Sequence, residues 1–122
     1  MSKWLLINMI NETIQKLIQE SSIELNNNKI NQKNYDSIDI EIHFDHDDYA
    51  NLIAYGTNNN GSDYIADIGK VNFKNENEFR ELEKHNSKLQ KQVINLLKKK
   101  LSYITVPVNL QLHDDLKIHN IK

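Results

Sequence analysis

Ile38-Asp39-Ile40-Glu41-Ile42-His43-Phe44-Asp45-His46-Asp47-Asp48 decides how this chain reads. Its first seven residues alternate apolar and polar without exception, the period of a strand with one face buried and one face wet. Isoleucine fills the apolar positions, and a β-branched side chain suits a pleated, half-buried surface. The polar positions carry only acids and a histidine. Asp45, His46, Asp47 and Asp48 then supply turn chemistry, because a short polar side chain bonds its own backbone and tolerates unusual φ.

Working outward, residues 49–57 and 64–71 read as two further strands. Asn60-Gly61 is a strong hairpin signal between them, since both central residues of a type I′ turn need positive φ. Centring the first turn on His46 and Asp47 sets Ile40 opposite Ile53 and Ile38 opposite Tyr55. Centring the second on Asn60 and Gly61 sets Ile53 opposite Ile68 and Tyr55 opposite Ala66. The expected apolar face is then Ile38, Ile40, Ile42, Phe44, Ile53, Tyr55, Tyr64, Ala66 and Ile68.

The same register sends Asp39, Glu41, His43 and Asp45 outward from the first strand. It sends Asp48, Ala50, Leu52 and Ala54 outward from the second, and Ile65 and Asp67 from the third. Asp45 faces Asp48 in this arrangement, and no lysine or arginine falls among the outward positions.

The meander is flanked by helical patterns. Over residues 4–20, Ile7, Ile10, Ile14, Leu17 and Ile18 recur at helical steps, with Ser2 as N-cap. Residues 21–36 are Asn-rich and read as a loop with a short strand at 23–25. Residues 75–101 form one long helix with Phe79, Leu82, Leu89, Val93, Leu96 and Leu97 on one side. Its glutamates lie early and Lys98, Lys99 and Lys100 lie at its end, as the helix dipole favours. Residues 104–112 alternate as a fourth strand, placed at an edge because Pro107 has no N–H to donate. Residues 116–121 make a last short strand. The fold class is α+β, an antiparallel meander with helices on one face, in the order α-β-β-β-α-β-β within a single domain over residues 1–122.

Composition narrows the function classes. The chain has 122 residues, 39% hydrophobic and 26% charged, enough to bury a core. With no cysteine there is no disulfide framework, thiolate metal site or thiol nucleophile. A formal net charge of −2 does not fit direct nucleic-acid binding, which needs a basic footprint. No apolar run reaches the ~20 residues of a membrane span. The expectation is a cytoplasmic protein with no membrane contact.

Catalytic signatures are missing. No serine lies in a Gly-x-Ser-x-Gly setting, and Gly56, Gly61 and Gly69 are too dispersed for a phosphate loop. No cofactor is implied and no catalytic residue is assigned. His85, His113 and His119 read as surface or strand-end polar residues, and Trp4, Tyr49 and Tyr55 as core packing. A metal site is the sharper alternative: His43, Asp45 and His46 bring imidazole and carboxylate ligands that suit zinc, manganese or iron. That reading makes the chain a small metal-binding protein or metal-dependent hydrolase centred on residues 43–48.

The order of elements, the small size, the lack of cysteine and the acidic outer sheet together resemble the immunity proteins of bacterial polymorphic toxin systems, including contact-dependent growth inhibition. The resemblance implies a non-enzymatic protein that binds and neutralises one cognate toxin, often a basic nuclease. The expected contact surface is Asp39, Glu41, His43, Asp45, Asp47, Asp48 and Asp67, facing a toxin with a basic surface.

Overall fold

The computed structural model describes residues 3–45 and 48–122. Ser2, His46 and Asp47, to which the sequence assigned a cap and turn positions, lie outside the described residues.

The elements run α1 (Lys3–Asn27), β1 (Ser37–Asp45), β2 (Tyr49–Asn58), β3 (Gly61–Asn72), α2 (Glu76–Lys84), α3 (Asn86–Lys100), β4 (Val108–Leu112) and β5 (Ile118–Asn120). This is the expected α+β class with one more helix. The strands form a single sheet in the order β3-β2-β1-β4-β5. β1, β2 and β3 are the expected antiparallel meander, while β4 lies parallel to β1 and makes the sheet mixed.

The helices cover one face. Ile38, Ile40 and Ile42 of β1, Ala50, Leu52 and Ala54 of β2, and Val108 and Leu110 of β4 are fully buried. They share one core with Ile10, Ile14 and Leu17 of α1, Leu82 of α2, and Leu89, Val93 and Leu97 of α3.

The register differs from the expected one by a single residue, and that flips a whole strand. Ile38 pairs with Gly56, Ile40 with Ala54 and Ile42 with Leu52, so Asp45 meets Tyr49 and not Asp48. With a side-chain period of two, a one-residue slip exchanges the faces. Ala50, Leu52 and Ala54 turn inward, and Ile53 and Tyr55 join the outer face. The expected Asp45–Asp48 cross-strand repulsion is therefore not made.

The second turn also moves. Asn58 pairs with Gly61, so the turn residues are Asn59 and Asn60, and Gly61 follows with a φ of 116°. Two irregularities in the β2–β3 ladder then re-aim the third strand, pairing Tyr55 with Tyr64 and Ile53 with Asp67. Tyr64 is exposed on the outer face and not in the core.

Small residues explain why this register is preferred. A Cβ at Gly69 would collide with Ser21 Oγ and lie 3.0 Å from the Ser21 backbone nitrogen. A Cβ at Gly56 would collide with the Tyr35 ring. Glycines and alanines on this face let α1 and Tyr35 lie close to the sheet.

That close approach also extends α1. Ser21 and Leu25 continue its buried stripe, so the helix runs through the stretch read as loop and strand up to Asn27. Burial outweighs weak local propensity there. Conversely, the single long helix is broken at His85. Asn86 donates its amide to the Glu83 carbonyl at 2.7 Å and accepts from Gln90, local bonds that favour an interruption.

Entry into α2 is well capped. Asn75 accepts from the Glu78 N–H, and the buried Glu78 carboxylate accepts from Lys74 N–H and from Thr13 Oγ1. β4 is not an edge strand. Pro107 stands just before it, its carbonyl accepts from the Ile38 N–H, and β5 pairs along the other side. Trp4 is 69% exposed, so it does not pack in the core. No helix among the described residues is long and apolar enough to cross a membrane.

Candidate functional site on the open sheet face

The outer face is built on alternate residues of the strands whose other side is core. β1 contributes Asp39, Glu41, His43 and Asp45. Its neighbours in register are Tyr55, Ile53, Asn51 and Tyr49 on β2, and Asn109 and Gln111 on β4. A concavity of ≈ 520 Å³ crosses all five strands and is lined by Asp39, Ile40, Glu41, Tyr55, Ser62, Asn109, Gln111 and Ile118. None of these lining residues is basic.

Asp39 sits on its floor and is held from three sides. Thr57 Oγ1 donates to Oδ2 at 2.6 Å, Ser37 Oγ donates to the same oxygen at 3.0 Å, and Asn109 donates to Oδ1 at 3.0 Å. This carboxylate ties β1 to both neighbouring strands through neutral donors, so its charge is solvated by the fold but not cancelled.

Glu41 has different company. Its Oε2 lies 3.3 Å from His43 Nε2, and its Oε1 lies 3.9 Å from His113 Nδ1. The two imidazoles stack with centroids 4.3 Å apart at 25°. Glu41, His43 and His113 each offer one ligand atom, and these atoms lie within 4.8 Å of one another.

The expected metal set is His43, Asp45 and His46. His43 is brought together with Glu41 and His113, Asp45 is not in the group, and His46 lies outside the described residues. Sequence reasoning missed His113. It stands next after β4, 70 positions from His43, and only the parallel β1–β4 register brings the two together.

Tyrosines frame the carboxylates. The Tyr49 hydroxyl is raised above its ordinary range by a hydrogen bond to Asp45, whose charge adds to the effect. Partial burial raises Tyr55, and the charges of Glu41 and Asp67 add to it. Tyr64 is raised by desolvation and by a hydrogen bond to Asp67. All three are therefore protonated donors at neutral pH. The edge of Tyr55 meets Tyr64 with ring centroids 6.4 Å apart.

The outer face is not wholly free of lysine. Lys70 on β3 lies opposite Asn51, with its ammonium 4.4 Å from the Tyr49 ring centroid. Among the expected contact residues, Asp48 and Asp67 are exposed, Asp39, Glu41, His43 and Asp45 are half-buried on one row, and Asp47 lies outside the described residues. Compared with protein-family models, with curated proteins and with solved structures, the chain matches none.

Proposed function

We propose that this is a non-enzymatic binding protein that takes a basic segment of a partner protein into the trough across its open sheet face. The partner class is a cognate bacterial toxin, so the protein acts as an immunity protein. The supporting observation is the trough itself: the three helices among the described residues pack on the opposite face, and the concavity holds Asp39 and Glu41 with no basic residue among the described residues lining it. Its volume falls in the ordinary range of binding clefts, about 300–1,000 Å³. Tyr55 adds a rigid amphipathic wall of the kind found at contact surfaces.

A basic side chain entering there meets Glu41 without having to displace a lysine or arginine. Electrostatic complementarity of this sort accelerates encounter and suppresses wrong partners. The expected complex weakens as salt rises, because part of the face is exposed to screening.

The experiment co-expresses the chain with the product of the gene beside its own, scores protection, and measures affinity by calorimetry. Placing two positive charges in the trough, with Glu41→Lys and Gln111→Lys, is expected to weaken binding by a factor of ten or more, about 1.4 kcal/mol or above, and to abolish protection. A neighbour that is neither toxic nor bound, or a double variant that binds and protects like the parent, overturns the proposal.

A further inference from the structure

We propose that Glu41, His43 and His113 form a divalent transition-metal site at the margin of the trough, suited to zinc. The inference does not rest on what the trough binds, but a metal ion and a basic side chain compete for the Glu41 carboxylate.

The backbone that carries the three side chains is fixed by the sheet. Glu41 and His43 are two apart on β1 and so share a face. Glu41 is in register with Gln111, Ile42 with Leu112, and the His113 N–H donates to the Ile42 carbonyl at 2.8 Å. Asp115 N–H closes the following turn on the Leu112 carbonyl, with Asp114 at a φ of 67°, a conformation aspartate tolerates. His113 is thereby held where its ring must lie beside His43.

Two of the three residue pairs stand near coordinating separations, each through a different oxygen of Glu41. Ligands about 2.0–2.2 Å from a tetrahedral zinc stand roughly 3.3–3.6 Å apart. Glu41 Oε2 and His43 Nε2 are 3.3 Å apart, and Glu41 Oε1 and His113 Nδ1 are 3.9 Å apart. Each residue's one donor atom lies within 4.8 Å of the others, and the two rings, stacked at 25°, turn out of their stack to aim both nitrogens at one ion.

An independent observation concerns the other His113 nitrogen. His113 Nε2 lies 3.5 Å from Asp114 Oδ1. A histidine that ligates through one nitrogen commonly gives its other N–H to a carboxylate, which fixes the tautomer and ring direction. The two nitrogens divide as such a ligand needs, Nδ1 toward Glu41 and Nε2 toward Asp114, although at 3.5 Å the second is an approach and not a formed hydrogen bond.

Two imidazoles and one carboxylate select zinc-like ions over magnesium or calcium, which prefer oxygen. Three protein ligands leave a fourth position open to the solvent side of the face. That position takes water or a donor group brought by a bound molecule.

The test uses protein made without an affinity tag and stripped of metal, titrated with zinc chloride by calorimetry and followed by NMR of the histidine rings. One zinc per chain is expected, with the His43 and His113 ring signals moving while those of His85 and His119 stay, and no competition from excess magnesium. His113→Gln, at a half-exposed position outside the core, is expected to weaken zinc binding about tenfold or more, a scale that even supporting groups at metal sites reach. Asp114→Asn weakens it less, and His85→Gln leaves it unchanged.

Failure to bind zinc at one per chain overturns the site. So does zinc that moves all the histidine signals alike, or affinity indifferent to His113→Gln. The ring signals of the parent protein decide the matter even if a variant fails to fold.

Discussion

The two faces of β1 are one residue apart in sequence and opposite in physics. Ile38, Ile40 and Ile42 are fully buried under three helices, whereas Asp39, Glu41 and His43 stand on a face that no helix among the described residues covers. The inner face is held by burial, which is non-directional and scales with area. The outer face is held by named donors and acceptors at fixed distances, such as the three bonds to Asp39. Stability therefore resides on one side of the strand, and the groups able to recognise something reside on the other.

The sharpest way to break this contrast is to change neighbours on the same strand. Ile40→Ala removes a fully buried side chain between Ala54 and Leu110 and is expected to cost about 2–5 kcal/mol. Glu41→Gln, one residue on and facing outward, is expected to change stability by no more than about 0.5 kcal/mol. Urea unfolding of the two variants checks both numbers. If their costs are equal, the two-faced account of β1 is wrong.

A smaller loss is expected where the helix meets the sheet. Gly69→Ala pushes a methyl group into Ser21 of α1, whose Oγ is buried without a hydrogen-bond partner among the described residues. Overpacking of this kind costs about 1–3 kcal/mol. Shortening the opposing side chain as well, with Ser21→Gly, should return part of that loss. Thermal unfolding of the single and double variants measures the coupling, and simple additivity would show that α1 does not bear on Gly69.

How much of this was legible in the chain follows from the same two faces. Strict alternation over Ile38–Phe44 and the helical spacing of Leu89, Val93 and Leu96 revealed the class and the meander, because each pattern has one solution. β2 has two. Ala50, Leu52 and Ala54 form one apolar row and Ile53 and Tyr55 form another, so the pattern does not say which faces inward. The choice is made by close packing of α1 and Tyr35 on glycine and alanine, a tertiary effect with no local signature. The acidic row on β1 was legible for the same reason as its core row. His113 was not, since parallel pairing across 70 residues leaves no periodicity that points to its partner.

The faintest expected effect belongs to the outer face alone. Tyr49, Tyr55 and Tyr64 all have hydroxyls raised above the ordinary phenol value of 10.0 through hydrogen bonding, burial and nearby carboxylates. The fold thus favours their neutral form. The stability they contribute is fully present below the ordinary value and is lost as pH rises through the raised folded values. Because the rings are largely solvent-exposed or only partly buried, screening keeps the contribution small. Melting temperatures taken from about pH 9 to about pH 12 should fall for the parent protein. The fall should be shallower in the Tyr49→Phe, Tyr55→Phe double variant, whose rings cannot ionise. An identical decline in both proteins would mean that alkaline loss arises elsewhere, and that the tyrosines stand beside the carboxylates without exchanging energy with them.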